Sequence, residues 1–318
     1  MSEFDLIDLI RRRAGIERND VRLGIGDDAA LVLPPPGHEL AICTDTLVAG
    51  VHFPADTAAA DIGWKALAVN LSDLAAMGAT PAWALLALTL PTADAAFVEA
   101  FCTGFGALAA QHRVALIGGD TTSGPLTITV TVHGFVPPEQ ALRRDGARVG
   151  DAVFVTGTLG DAAAALWLRR RSGDPALRAQ LDPRLDRPEP RIAAGAALRG
   201  AATACIDVSD GLLADLGHIA DRSGVGIDIE TDALPSSPAL LGAFAAADRA
   251  RLQLAGGDDY ELAFTAPAHR AGDLQRDLAR IGCGATRIGR VVEGAGVRAL
   301  DADGAPITLP ARGWEHFA

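Results

Sequence analysis

IDVSDGLLADLGHI, residues 206–219, joins an apolar run to a helical pattern through a short acidic turn that ends in glycine. The apolar residues before the turn predict a strand over 203–207, and the apolar spacing after it predicts a helix over 211–222. The same order of strand, loop and helix begins near residue 152, which is typical of an α/β domain. Further strands are predicted over 152–156, 225–230, 260–265 and 286–292, and further helices over 161–171 and 267–281.

The N-terminal half lacks this regular alternation. Proline at 137–138 and glycine at 146 and 150 interrupt the pattern, so we place a boundary near residue 148. A chain of 318 residues is long enough for two hydrophobic cores. We therefore expect two domains, 1–148 of mixed α+β structure and 149–318 of α/β structure. In the first, apolar spacing predicts helices over 3–13, 58–77 and 93–112 and strands over 29–33, 40–44, 82–90, 114–117 and 126–136.

The charge of the chain limits its partners. Forty acidic residues against 28 basic ones give a formal charge of −12. This charge repels nucleic acid and anionic membranes, and an anionic substrate would need bridging cations. Lys65 is the only lysine, its early position in a helix favours a solvated or ion-paired amine, and no phosphate-binding loop of the G-x-x-x-x-G-K-[ST] type occurs.

The cysteines indicate a reducing compartment. They lie far apart in the sequence and form no C-x-x-C pair, so we expect free thiols. The N-terminus places acidic residues ahead of three arginines, which reverses the charge order of a signal peptide. We therefore expect a cytoplasmic protein with no membrane segment. The four cysteines are Cys43, Cys102, Cys205 and Cys283.

Five acidic clusters lie beside glycines or at strand ends. A single Gly-Asp pair is ordinary turn chemistry, but five such clusters together favour hard cations such as Mg²⁺ and, with them, phosphate chemistry. If residues 27 and 28 continue a strand, their side chains point to opposite faces, and we favour Asp28. Ser209 or Asp210 could cap the following helix, whose N-terminus also attracts phosphate. The clusters are residues 26–28, 44–46, 70–73, 118–121 and 207–211.

Seven motifs in this order resemble those of the thiamine-monophosphate kinase family, within the superfamily that includes aminoimidazole ribonucleotide synthetase. The resemblance covers nearly the whole chain and implies a two-domain synthetase-like fold with a dimer-forming sheet in the N-terminal domain. The motifs are LGIGDDAA at 23–30, CTDTLVAGVHF at 43–53, KALAVNLSDLAAMGA at 65–79, LIGGDTT at 116–122, HGFV at 133–136, IDVSDGLLADLGHI at 206–219 and GGDDYEL at 256–262.

The resemblance implies an ATP-dependent kinase that phosphorylates thiamine monophosphate to thiamine diphosphate, with several Mg²⁺ ions and no phosphoenzyme. Direct transfer between two phosphates suits a site built for positioning and charge neutralisation. By the same resemblance, the N-terminal domain binds metal and ATP and forms a homodimer.

Site residues follow from the motifs by resemblance. Metal ligands are expected at Asp28, Thr44, Asp45, Asp73, Asp120, Asp207 and Asp210, with Asp45, Asp120 and Asp210 as the catalytic residues. Nucleotide contacts are expected from Gly119, Asp120, Arg144 and Ser209. Substrate contacts are expected from His52, Asp258 and Trp314.

Two residues depart from the family pattern. Cys43 replaces a Ser or Thr, so a backbone carbonyl rather than a side-chain oxygen would serve there. Asp258 replaces a frequent Glu and is one methylene shorter.

Two other functions stay open. A synthetase of the same superfamily could activate a different substrate, but the early Cys with Lys of selenophosphate synthetases and the terminal cysteine of hydrogenase-maturation relatives are missing here. A non-catalytic acidic metal-binding protein would show no ATP turnover.

Overall fold

The computed structural model describes residues 3–171, 173–309 and 312–315. The chain divides into two compact units, Met1–Leu74 with Ala79–Glu139, and Ala75–Gly78 with Gln140–Ala318. Both units contain sheet and helix, so the predicted fold class is confirmed. None of the helices in these described ranges combines the length and hydropathy that a membrane span needs.

The first unit is built on a four-stranded sheet with the order β3-β6-β4-β5. Its pairs are antiparallel, except that β4 and β5 run parallel. The elements are α1 (Glu3–Ala14), β1 (Val21–Leu23), β2 (Leu31–Val32), β3 (Glu39–Val48), α2 (Ala59–Ala76), β4 (Thr80–Leu90), α3 (Ala95–His112), β5 (Ala115–Ser123) and β6 (Thr127–Val136).

Alternating residues explain why this sheet has one apolar face. In β6, Ile128, Val130 and Val132 are buried, and the threonines between them are half-buried. Helices α2 and α3 approach each other closely, since a Cβ on Gly104 would lie 1.7 Å from the carbonyl oxygen of Ala60. Only glycine permits this approach of the two backbones.

The second unit is built on a seven-stranded sheet with the order β13-β12-β9-β11-β7-β10-β8. Among the described strands of this sheet, only β9 and β12 pair in parallel. The elements are β7 (Asp151–Thr156), α4 (Asp161–Arg169), α5 (Pro175–Asp186), α6 (Ile192–Leu198), β8 (Ala204–Asp207), α7 (Leu212–Ser223), β9 (Gly226–Glu230), α8 (Pro238–Ala243), α9 (Ala246–Ala255), β10 (Leu262–Pro267), α10 (Ala271–Arg280), β11 (Ala285–Val292), β12 (Gly296–Leu300) and β13 (Pro306–Ile307).

Strand β7 lies between β11 and β10 inside the sheet of the second unit and is buried on both faces. Val153 and Val155 enter one hydrophobic cluster, while Ala152 and Phe154 enter another on the opposite side. A continuous apolar strand of this kind needs cover on both faces, and α7 and α10 contribute to the two clusters. The α/β character is therefore as predicted, although the strands pair mainly antiparallel.

Candidate active site

A cavity of about 950 Å³ in the first unit brings several predicted residues together. Its lining includes Asp27, Asp28, Gly119 and Asp120. These residues come from two motifs that are about 90 positions apart in the sequence. The cavity thus gathers carboxylates from two separate acidic clusters.

Asp27 and Asp28 lie in a turn, because β2 begins only at Leu31. The backbone N–H of Asp28 donates to Oδ1 of Asp27 at 2.9 Å. The alternation of a strand therefore does not apply to these two carboxyl groups, and the preference for Asp28 stays a prediction. Both residues line the cavity.

Asp120 follows a distortion of β5. Leu116 pairs with Ala84 and Gly118 pairs with Leu85, so β5 has one extra residue at this point. Gly119 has a φ of 151°, and a Cβ there would lie 1.8 Å from the carbonyl oxygen of Leu86. Bulges of this kind redirect the side chains that follow them. The glycine is required by the backbone packing, and Asp120 lines the cavity directly after it.

Asn70 connects β3 to the helix that carries Asp73. Its Oδ1 accepts the backbone N–H of Asp45 at 2.9 Å, and its carbonyl accepts the Cys43 thiol at 3.4 Å. Cys43 therefore faces α2, and Asp45, two residues further along the strand, shares that face. Thr44 points to the other face, where its hydroxyl contacts Thr131 at 2.8 Å. The side chains of Thr44 and Asp45 thus lie on opposite faces of the four-stranded sheet.

His52 and Lys65 are less exposed than their sequence positions indicate. Nδ1 of His52 accepts the backbone N–H of Val48 at 3.0 Å, which holds the ring against the turn after β3. Lys65 is 1% exposed, so the solvated alternative was wrong, while an ion-paired amine stays a prediction. Its position in α2 turns it into the core of the first unit.

The donor chemistry of the first unit fits Mg²⁺. Among the described residues, no group of three or more His, Cys, Asp or Glu is close enough to hold a metal ion. Asp28 and Asp120 nevertheless line one cavity, and Mg²⁺ is commonly held by one or two carboxylates together with phosphate oxygens and water. The residues fit an ion that binds together with a phosphate ligand.

In the second unit, Asp207 ends β8 and is buried, while Ser209 and Asp210 lie in the loop before α7. The backbone N–H groups of this loop donate to one carboxylate oxygen, Oδ2 of Asp215, which the sequence interpretation did not select. The three distances are 3.0 Å from Ser209, 3.2 Å from Asp210 and 3.1 Å from Gly211.

Asp215 changes the expectation that the start of α7 binds phosphate. Its carboxylate already accepts the N–H groups that a phosphate would use. Burial, together with the charges of Asp207 and Asp210, raises the pKa of Asp215 to about 8, against the effect of the N–H donors. Asp215 therefore holds the loop backbone. The groups of this loop that a ligand could contact are its side chains.

The loop that carries Asp258 packs on the loop before α7. The N–H of Asp258 donates to the carbonyl of Ser209, and the N–H of Tyr260 donates to the carbonyl of Val208, each at 2.8 Å. The phenol of Tyr260 donates to Oδ1 of Asp258 at 3.1 Å. These contacts place the predicted substrate residue beside the predicted metal and nucleotide residues of this unit.

Trp314 and Arg144 border the same region of the second unit. The backbone N–H of Trp314 donates to the carbonyl of Asp210 at 2.9 Å, and its side chain is 50% exposed. Arg144 is exposed and follows Arg143, whose carbonyl accepts the N–H of Cys205 in β8. Arg144 therefore lies alongside the strand that ends in Asp207.

Two family models cover most of the chain. The N-terminal domain of AIR synthase related proteins matches residues 26–136, and the C-terminal domain matches residues 148–301. These matches agree with the synthetase-like fold that the motifs imply.

The chain is also similar to thiamine-monophosphate kinases along nearly its whole length. The thiamine-monophosphate kinase of Salmonella typhimurium is 47% identical over 99% of this chain and 98% of that protein. The crystal structure of thiamine-monophosphate kinase from Stenotrophomonas maltophilia is 52% identical, covers 96% and 98% of the two chains, and has a TM-score of 0.89. AaThiL complexed with AMPPCP and TMP is 37% identical, covers 99% and 97%, and has a TM-score of 0.78. The chain belongs to the thiamine-monophosphate kinase family.

Proposed function

We propose that this chain transfers the γ-phosphoryl group of ATP to the phosphate of thiamine monophosphate. An oxygen of the acceptor phosphate forms a bond to the γ-phosphorus, the bond to the β–γ bridging oxygen breaks, and thiamine diphosphate and ADP result. The proposal is carried by similarity along the whole length to thiamine-monophosphate kinases, one of which is described in complex with AMPPCP and TMP. Neither an amide-activating synthetase nor a non-catalytic metal-binding protein has comparable support.

The chain's residues act in this reaction by positioning and charge. Gly119 and Asp120 in the first unit, and Arg144 and Ser209 in the second, would contact the nucleotide. His52, Asp258 and Trp314 would contact thiamine monophosphate. An ionised phosphate acceptor needs no strong general base, so alignment of the two phosphates is the main task of the protein.

Several Mg²⁺ ions would supply the positive charge that neutralises the two phosphates. The acidic residues that would hold them differ in backbone setting: Asp28 lies in a turn, Asp45 in a strand and Asp73 in a helix. Asp45, Asp120 and Asp210 would stabilise the transferred group through these ions. The acidic residues that would hold Mg²⁺ are Asp28, Asp45, Asp73, Asp120, Asp207 and Asp210. The hydroxyl of Thr44 lies on the outer face of the sheet, so Thr44 would contribute through its backbone carbonyl.

We further propose a cytoplasmic homodimer, with residues 1–148 as the metal-binding, ATP-binding and dimerisation domain and 149–318 as the C-terminal α/β domain. Support for a dimer comes from the outer face of the four-stranded sheet. There Leu40 and Ile42 are exposed on β3, beside hydroxyl pairs that Thr44 and Thr46 form with β6. Exposed aliphatic side chains on a regular sheet favour a protein partner.

The proposed function is tested by identifying the product. The protein is incubated with ATP, Mg²⁺ and thiamine monophosphate, and thiamine diphosphate and ADP are quantified by chromatography. We expect equal amounts of both, and no product after chelation until Mg²⁺ is restored. Formation of ADP without thiamine diphosphate would indicate another acceptor, and full turnover in the presence of chelator would contradict the metal requirement.

A further inference from the structure

The loop from Gly256 to Glu261 contains unusual backbone geometry. Asp258 has a φ of 68° and Tyr260 a φ of 49°, both in the left-handed region. In the described ranges only two other residues besides glycine have a positive φ. Such conformations are unfavourable for residues with a Cβ and persist only where the surrounding structure holds them.

Asp259 is one of the groups that hold this loop. It lies between the two left-handed residues and is buried. Both of its carboxylate oxygens accept the backbone N–H of Gly160 at 3.0 Å. The middle of the loop is therefore tied to the segment between β7 and α4.

Glu261 is the second and stronger anchor. It is fully buried, and Arg191 donates to both of its oxygens, from Nε at 2.7 Å and from Nη2 at 2.6 Å. Arg184 donates to Oε1 and Thr156 to Oε2, each at 2.7 Å. Two-point contact with a guanidinium fixes the plane of the carboxylate as well as its position.

Glu261 is charged in this setting. Burial alone would raise its pKa, but the hydrogen bonds and charges of Arg191 and Arg184 hold that pKa below its usual value. Burial of a carboxylate requires such partners, so the two arginines determine where the chain can place residue 261. Arg184 lies 77 positions and Arg191 lies 70 positions before Glu261 in the sequence.

Tyr260 connects the anchored Glu261 to the carboxylate of Asp258. It precedes the anchored Glu261, and its phenol donates to Oδ1 of Asp258 at 3.1 Å. Asp258 is the residue that carries the shorter side chain at this position of the family motif. Because the side chain of Asp258 is short, the position of its carboxylate depends more strongly on the position of the backbone.

We propose that Arg184, Arg191 and Glu261 form a clamp that orients Asp258 toward thiamine monophosphate, with Tyr260 as the connecting residue. These four are positioning residues, and the inference rests on the proposed function of Asp258. The clamp acts on substrate binding. Ser209, the nucleotide residue beside this loop, is also held through its backbone N–H by Asp215 at 3.0 Å, so we expect the nucleotide contacts to be unchanged.

The test compares three variants of clamp residues by their KM for each substrate. Arg191→Gln removes the two-point contact and should raise the KM for thiamine monophosphate about tenfold, the loss expected for a charge-assisted hydrogen bond. Tyr260→Phe should raise the same KM about threefold. The KM for ATP should change less than about twofold in both variants. Arg191→Lys keeps the charge without the two-point guanidinium contact. Its KM for thiamine monophosphate should lie between those of the wild type and Arg191→Gln.

Arg298→Gln is the matched control. Arg298 on β12 donates from Nε to Oδ1 of the buried Asp228 on β9 at 2.8 Å, and β11 and β7 separate these strands from β10. Its replacement should lower the melting temperature and leave both KM values unchanged. If Arg191→Gln fails to fold by circular dichroism, Tyr260→Phe and Arg191→Lys decide the question.

The outcomes distinguish failure of the clamp from failure of the proposed function. Equal increases of both KM values, or unchanged values in Tyr260→Phe and in folded Arg191 variants, would overturn the clamp while the proposed function stands. A wild-type protein that forms no thiamine diphosphate would overturn both. A selective rise in the KM for thiamine monophosphate, with the control unchanged, supports the clamp.

Discussion

Asp45 and Asp120 both belong to the first unit, yet they reach their positions by different means. Asp45 lies in a regular strand whose backbone is held by the Asn70 amide, whereas Asp120 follows a bulge and a glycine that no other residue could replace. At both positions the contacts that hold the backbone come from other groups, so an amide of the same shape should keep the fold.

We therefore expect Asp45→Asn and Asp120→Asn each to lower kcat by about a hundredfold or more without loss of fold, since an amide keeps the shape but loses the charge that neutralises phosphate through a cation. Steady-state kinetics and circular dichroism on both variants measure this. Near-normal kcat in both, with the same Mg²⁺ dependence, would remove these residues from the site.

Trp314 gives a second prediction for a single residue. Its indole is half exposed, so an aromatic face is available to a ligand. Contact with the cationic thiazolium ring is worth roughly 0.5–2 kcal/mol, and Trp314→Ala should weaken thiamine monophosphate binding about two- to thirtyfold. Calorimetric titration with each substrate measures this, and ATP affinity should not change. Equal weakening of both ligands, with a lower melting temperature, would indicate a packing role instead.

The sequence could predict which residue types form the candidate site but could not predict what holds them. The acidic motifs identify Asp207, Asp210 and Asp258 as candidates. Asp207 ends β8, Asp210 lies in the loop that follows, and Asp258 lies in the loop that packs on it. Asp215 was missed because its role depends on hydrogen bonds from the backbone of the preceding loop to its side chain, which the sequence pattern does not show. Arg191 was missed because its partner is 70 positions away, and no local pattern encodes that pairing.

At the scale of elements, helices α2 and α3 pack so closely that adding a single methyl group at their contact should destabilise the fold. Gly104→Ala would bring a Cβ within 1.7 Å of the Ala60 carbonyl and should destabilise the protein by roughly 2–4 kcal/mol. The same change at Gly217, in α7, meets nothing within 4 Å and should stabilise by roughly 0.5–1 kcal/mol. Thermal unfolding of the pair measures both effects, and a similar effect at the two sites would contradict the described helix packing.

Element boundaries show why local patterns succeed or fail. The strand predicted over 40–44 extends to Val48, because polar Asp45 and Thr46 end the apolar pattern but still pair with β6. Helix α5 was not predicted, because Pro175 and Pro183 indicate a break. Pro175 instead lies in the first turn, where its missing N–H costs nothing, after an Asp174 cap.

At the scale of the whole molecule, the proposed dimer depends on the outer face of the first unit's sheet. Ile42 is 57% exposed there, and Ile42→Glu should convert a dimer into a monomer because a buried, unpaired charge opposes association. Sedimentation velocity measures this. Ile281→Glu, at a residue of the second unit that is 46% exposed, is the matched control and should not change the mass. A wild-type monomer, or a dimer that survives Ile42→Glu, would contradict the proposed interface.

The burial of Lys65 has a practical consequence for chemical labelling. Reagents that acylate amines modify lysine side chains and chain termini, and this sequence offers a single lysine that is 1% exposed in the fold. Acylation of the native protein should therefore be confined to its terminal amine, which would permit attachment of a dye or a surface at one point. Modification of Lys65 would then report the opening of the first unit's core.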